Sequence, residues 1–427
     1  MSALRIGLCV LIAGSVLALG GVEVWGTSLI EMGAAALFVF WAAMVALKPD
    51  GRIHWSPLNW PLLGLLAIGL LQLAIHTTAY PFLTRVHLLR LAALFLIFFL
   101  ATQAFRTRGD LTIAAWFLIV LCFAVSLLGI VQYFTSVREI YWSAALKTEG
   151  DPFGPYVNRN HFAGFVELTL PLGLAMIIFR GVYRDVLPLT VLLTLVPVSA
   201  LVLSGSRGGI IGFAFEIGIL AVLARSRKTA WSSPRVIAAG VVALMAFALV
   251  AWVGANTAIA RFSALKSPEV TLGRRLSMAR GAARIFQDHP VIGCGVGTLV
   301  DVFPQYENAY DGKLVDHVHN DYMETLAETG ILGGLCGAAF LWLLYREARK
   351  NFEADQGHFS RALHAGSIAA VGGILLHSLV DFNLQIPANA MLFLLQASLV
   401  ASPPASSSRA RIATANRAAE APELLER

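Results

Sequence analysis

The chain has 427 residues, of which 57% are hydrophobic and only 14% charged, against about 25% charged in an ordinary soluble domain. This composition excludes a soluble globular protein and, with a mean hydropathy of +0.70, fits a chain whose solvent is largely lipid. The net charge of +6 comes without a basic stripe carrying interleaved aromatics, so it reads as membrane topology and excludes nucleic acid as a partner.

Apolar runs of roughly 20 residues, bounded by charge, Pro or Gly, are expected to cross the bilayer as helices. In chain order they are 5–22, 29–47, 58–76, 86–105, 111–134, 162–179, 186–204, 209–225, 236–254, 321–345, 362–380 and 387–402. The expectation is an all-α polytopic membrane protein with about 12 transmembrane helices, residues 1–402 forming one transmembrane domain. The first run lacks a small-residue cleavage site before a polar mature domain, so it reads as a retained span rather than a signal peptide. Residues 255–320 are the one sizeable soluble segment; Leu272 to Phe286 has helical periodicity, and VIGCGVGTL is a Gly-rich turn leading towards another short helix. The polar, Ala/Ser-rich residues 403–427 read as a disordered cytoplasmic tail. Cys9, Cys122, Cys294 and Cys336 are scattered, with no C-x-x-C pair, and imply neither a disulfide framework nor a zinc site.

Lys and Arg concentrate in the connections that share a side with the two termini, as at Lys48, Arg106, Arg180, Arg225 and Arg346. Both termini are therefore expected in the cytoplasm. The segments least like ordinary loops, 151–161, 204–209, 255–320 and 381–387, then fall together on the outer side.

Four polar constellations mark that side. His317 and His319 precede a helix carrying Asp321, Glu324 and Glu328 at spacings of three and four, so the acids share a face. Titratable groups at the start of a span are usually functional, and His319 suits a general base; the alternative is that Asn320 or Asp321 caps the helix and the acids solvate its end. Ser204-Gly205-Ser206-Arg207-Gly208-Gly209 is a short turn in which glycines let the backbone approach an anion and Arg207 offers a bidentate guanidinium; otherwise Arg207 snorkels to headgroups. In Tyr156-Val157-Asn158-Arg159-Asn160-His161, amides, an Arg and a His crowd the start of the sixth span. They suit sugar hydroxyls and phosphates, or merely an N-cap by Asn158 or Asn160. Arg274, Arg275, Arg280 and Arg284 crowd one predicted helix and seek an anion, which is either lipid or substrate. Glu167, Glu216 and Arg90 are deep charges, of which Glu167 needs a buried partner. A metal site is disfavoured because Asp316, His317, His319 and Asp321 lack the H-E-x-x-H spacing. Asp381-Phe382-Asn383-Leu384-Gln385 reads as a polar hairpin.

Taken together, HNDYMETLAETGILGG, the preceding DHPVIGCGVGTL and the SGSRGG turn resemble the O-antigen ligase and polymerase family of bacterial envelope glycosyltransferases. The resemblance runs from YVNRNHFAGFVELTLPL to the last spans, with a ligase-like core at about 150–345 that includes loop 255–320. It implies a GT-C-like inner-membrane enzyme that takes a glycan from undecaprenyl diphosphate on the periplasmic face. The acceptor would be lipid A-core, a growing polysaccharide or a protein hydroxyl, among membrane lipids and with no cofactor or metal. It places the catalytic residues on His319, Arg207 and Arg275, and assigns substrate contacts to Arg159, Asn160, His161, Asn320, Tyr322 and Glu328. A transporter is the rival reading, but transporters gather their polar groups at the midplane rather than at one face.

Overall fold

The computed structural model describes residues 1–47, 53–136, 139–142, 144–145, 151–226, 272–307, 312, 314–354 and 357–403. Among them the chain is a helical membrane bundle. The helices are α1 Ser2–Leu17, α2 Val24–Ala46, α3 Asn59–Ala74, α4 Pro81–Ala104, α5 Arg108–Thr135, α6 Arg159–Ile178, α7 Leu187–Ser204 and α8 Arg207–Ser226. They continue as α9 Leu272–Asp288, α10 Leu299–Val302, α11 Asp321–Ala354, α12 His358–His377 and α13 Pro387–Val400. Eight of these, α2, α4, α5, α6, α7, α8, α11 and α12, are long and apolar enough to cross a membrane, while α1, α3 and α13 are apolar but shorter. The expected run 236–254 lies outside the described residues, and so does the tail beyond 403. A two-residue antiparallel pair, Glu139–Ile140 with Ala144–Ala145, is the only sheet among the described residues.

Local chemistry sets several helix ends. Thr107 and Asp110 form a reciprocal capping box that starts α5, and Asn158 caps α6 by accepting from the Asn160 amide at 2.8 Å. Gly205 closes α7 in the left-handed conformation, and α8 begins two residues later. Helix α6 forms the centre of the bundle, packed against α5, α7, α8, α12 and α13, with Phe162, Phe165, Leu168 and Leu172 fully buried.

The 34-residue α11 is bent at Gly330, whose φ of 62° and ψ of −162° are open only to glycine. At this bend the Gly-rich loop 289–298 lies along the helix: Cys294 and Gly295 donate to the Ala327 and Glu328 carbonyls, and Ile331 donates to the Pro290 carbonyl at 2.8 Å. Gln72 of α3 locks the junction, donating to the Glu328 carbonyl at 2.8 Å and accepting from the Val296 amide at 3.0 Å. A methyl group on Gly330 would strike the Val291 and Ile292 backbone. Gly330→Ala is therefore expected to cost about 1–3 kcal/mol from backbone conformation alone, seen as a lowered thermal midpoint in detergent.

Candidate active site

The ends of several helices meet at one pole of the bundle. His319 stands just before α11 with a φ of 51°, a conformation uncommon outside glycine. Asn320 holds it there from both sides: its Nδ2 donates to the Leu379 carbonyl at 2.9 Å, and its Oδ1 caps α11 by accepting from Met323 at 2.9 Å. The Asp321 amide donates to the Ser378 carbonyl at 3.0 Å, while the Asp321 carboxylate accepts from Leu384. The turn after α12 is thereby tied to the start of α11.

That turn delivers Asp381, which is fully buried and lies 3.1 Å from His319 Nδ1. Burial works against the Asp381 carboxylate, yet the His319 hydrogen bond and the neighbouring His161 and His377 rings hold it well below the usual carboxylate range. An ionised carboxylate only accepts, so Nδ1 carries a proton, and in the neutral ring Nε2 of His319 keeps its lone pair. That ring can then accept a proton at Nε2.

Beyond Asp381 the polar groups continue into the membrane. His377 Nε2 lies 4.0 Å from Asp381, and its Nδ1 is 2.6 Å from Glu167. The deep carboxylate on α6 thus has the partner its burial demands. The ring of His377 also abuts Gly208 so closely that a methyl group there could not fit, which seats the Arg207-Gly208 start of α8 beside the acid–histidine pair.

Arg275 of α9 donates to the Val380 carbonyl at 2.5 Å, one residue from Asp381. Arg274 instead pairs with Glu307 at 2.5 Å, so of the two adjacent arginines it is Arg275 that reaches the turn carrying Asp381. Arg159, buried at the start of α6, lies 3.5 Å from Asp151, and its guanidinium faces the arginine turn, 3.8 Å from where a Cβ on Gly205 would stand.

The remaining predicted residues divide by what they touch. Tyr322 donates its hydroxyl to the Leu375 carbonyl at 2.7 Å, bracing α11 on α12. Both Asn320 amide atoms are engaged as well, so Asn320 and Tyr322 brace the segment that carries His319. Glu328 accepts from the Leu299 amide at 3.1 Å, which holds the Gly-rich loop. It also lines a cavity of about 950 Å³ with His161, His317, Glu324, Arg90 and Phe382. Phe382 carries three histidines around its ring: His317 stacked at 4.4 Å, and His161 and His319 edge-on at 4.7 and 4.8 Å. The Asn160 side chain is buried at the same end of α6.

In the sequence Asp381 reads as part of a polar hairpin, and neither His377 nor Phe382 stands out. The one available signal was the four-residue spacing of His377 and Asp381 at the end of an apolar run, which puts both on one face.

His317 donates to Glu324 at 2.6 Å. Burial disfavours its charge, but Glu324, with Asp316 and Glu328 behind it, outweighs burial and pushes the imidazole up to about 9. A folded pKa above the ordinary value stabilises fully below about 6.5, and this contribution is lost as pH rises through about 9. The stability gap between the wild type and His317→Gln is therefore expected to be widest near pH 6 and to close by pH 10, measured as thermal midpoints across that range.

A search of curated proteins finds no match to the chain. Residues 190–338, which contain Arg207, Arg275, His319 and Glu328, match the family model described as O-antigen ligase.

Proposed function

We propose that this protein is a glycosyltransferase that moves a glycan from undecaprenyl diphosphate to an acceptor hydroxyl. In this reading it is a twelve-span, GT-C-like enzyme of the bacterial inner membrane, with both termini cytoplasmic and its site facing the periplasm. The observation that carries the reading is the buried pair of His319 Nδ1 and Asp381 at 3.1 Å, set at the pole where Arg207 and Arg275 also arrive. A base and two permanent cations at a membrane surface suit a reaction that removes a hydroxyl proton and expels an anionic lipid.

The reaction follows from those atoms. Nε2 of His319 takes the acceptor hydroxyl proton while that oxygen attacks the anomeric carbon, the bond from this carbon to the diphosphate oxygen breaks, and undecaprenyl diphosphate leaves. Attack from the face opposite the leaving group inverts the anomeric centre. Arg207 and Arg275, with Arg159 behind the turn, balance the charge that develops on the diphosphate, so the mechanism calls on no metal. The cavity beside Phe382 supplies an aromatic face, carboxylates and Arg90, groups suited to sugar hydroxyls, and we assign it to bound glycan.

The test is transfer in a deletion strain complemented with this gene, separating lipopolysaccharide, free polysaccharide and glycoprotein on gels. Restored ladders on lipid A-core support a ligase, whereas restoration only of secreted polysaccharide or of a protein glycan moves the acceptor to a polymerase or protein oligosaccharyltransferase. Restoration of none overturns the reading. Within it, Arg275→Lys keeps a charge but loses the planar fork that binds two phosphate oxygens. The expected outcome is a drop of about tenfold in transfer, about 1.4 kcal/mol of transition-state stabilisation, measured with purified lipid-linked glycan.

A further inference from the structure

We propose that the opposite pole of the bundle carries a separate site for the headgroup of an anionic phospholipid, bound by Arg108, Arg180 and His358. These residues line a cavity of about 600 Å³ between the start of α5, the turn after α6 and the start of α12. Helices α6 and α12 each run from one pole to the other: Arg159 and His377 lie at the His319 end, Arg180 and His358 at this one. The hollow is therefore a membrane thickness away from the acid–histidine pair, and the proposal stands independently of the glycan-transfer reading.

Its walls and its charges come from different sources. Trp116, Ile119, Met176 and Val186 make the walls apolar, while no Asp or Glu occurs among the described residues that line it. Two guanidiniums and an imidazole from three separate segments thus converge on one hollow without a lining counter-charge. Such basic pockets between spans suit an anionic headgroup, the walls taking the upper acyl chain. A free phosphate would make no use of the apolar walls, and a choline headgroup would bring a second cation among the arginines.

The positions of the arginines are built in. Arg180 has a φ of 58°, a left-handed conformation that is strained for a residue with a side chain. It is held there because the Gly181 amide donates to the Met176 carbonyl at 2.8 Å, and because Gly181 is pressed so tightly on α12 that an added Cβ would sit 2.7 Å from the Ala362 methyl. The Arg108 guanidinium rests over the Phe359 ring at 5.9 Å from its centroid, which directs it over α12. An arginine that only snorkels needs neither device. Arg184, on the same turn but outside the hollow, provides the comparison.

The full-length protein in detergent would be examined by native mass spectrometry with phosphatidylglycerol, phosphatidylcholine or inorganic phosphate. The wild type is expected to retain phosphatidylglycerol at least tenfold better than phosphatidylcholine. Arg108→Gln with Arg180→Gln should bring that ratio within twofold of unity, while Arg184→Gln leaves it above fivefold. Equal retention of the two lipids overturns the proposal, as does an equal loss in Arg184→Gln, which would mean diffuse surface charge. Displacement of phosphatidylglycerol by an equal concentration of inorganic phosphate also overturns it, because the site would then be one for a free anion. If the double variant fails to fold in phosphatidylcholine, each single substitution must lower the ratio at least threefold, or the proposal fails.

Discussion

Replacing His319 with alanine is expected to lower glycan transfer by about 10²–10⁴-fold, the range a positioned general base contributes. The geometry of the imidazole leaves its Nε2 available at this pole, because its Nδ1 is committed to Asp381 at 3.1 Å. The protein should still insert and fold, since among the described residues the His319 side chain makes one polar contact and an edge contact to Phe382. The check pairs the transfer rate with the thermal midpoint in detergent. Transfer within threefold of wild type by a folded variant removes His319 from the chemistry.

The second large effect is expected from Asp381→Asn. The substitution is nearly isosteric, but the amide can turn its NH₂ towards His319 Nδ1 and stabilise the tautomer that carries the proton on Nε2, where it blocks proton uptake. Loss of a carboxylate that sets the tautomer of a catalytic histidine can reach about 10⁴-fold; here about 10²–10⁴-fold in kcat is expected, with KM changed less than threefold. A carboxylate that served packing alone would instead lower the thermal midpoint and leave kcat of the folded fraction unaltered. Asp381 Oδ1 also accepts from the Phe382 amide at 2.9 Å, while His377 lies on its other side at 4.0 Å, and the bond from His377 to Glu167 at 2.6 Å fixes that ring from the membrane side. Asp381 is thus held between two histidines, each anchored by its own element.

How much of this was legible in sequence follows from how far each feature acts along the chain. Span after span was visible in hydropathy, because lipid requires every backbone amide to be bonded within its own helix and so rewards unbroken apolar runs. The expected helix from Leu272 and the short helix after VIGCGVGTL both appear, and the bend at Gly330 coincides with the glycine of the HNDYMETLAETG segment. Asn320 and Tyr322 bond to the Leu379 and Leu375 carbonyls, pairings between segments more than 50 residues apart that no local pattern names. Glu167 was recognisable as a carboxylate in need of a partner, but nothing local named His377, which lies 210 residues away.

The sequence by itself determined the solvent, the succession of helices and the one pole at which polar residues collect, since composition and period act within a single segment. It also marked His319 and Arg207, through short motifs whose residue types fit the chemistry, while Arg275 came only from the family resemblance. Only the tertiary structure decided that Asp381 belongs to His319, that Arg275 rather than Arg274 reaches the site, and that Arg108, Arg180 and His358 share one hollow. Each of these is a pairing between distant segments, and the angle at which two helices meet depends on side-chain packing along their whole length, which no local pattern encodes.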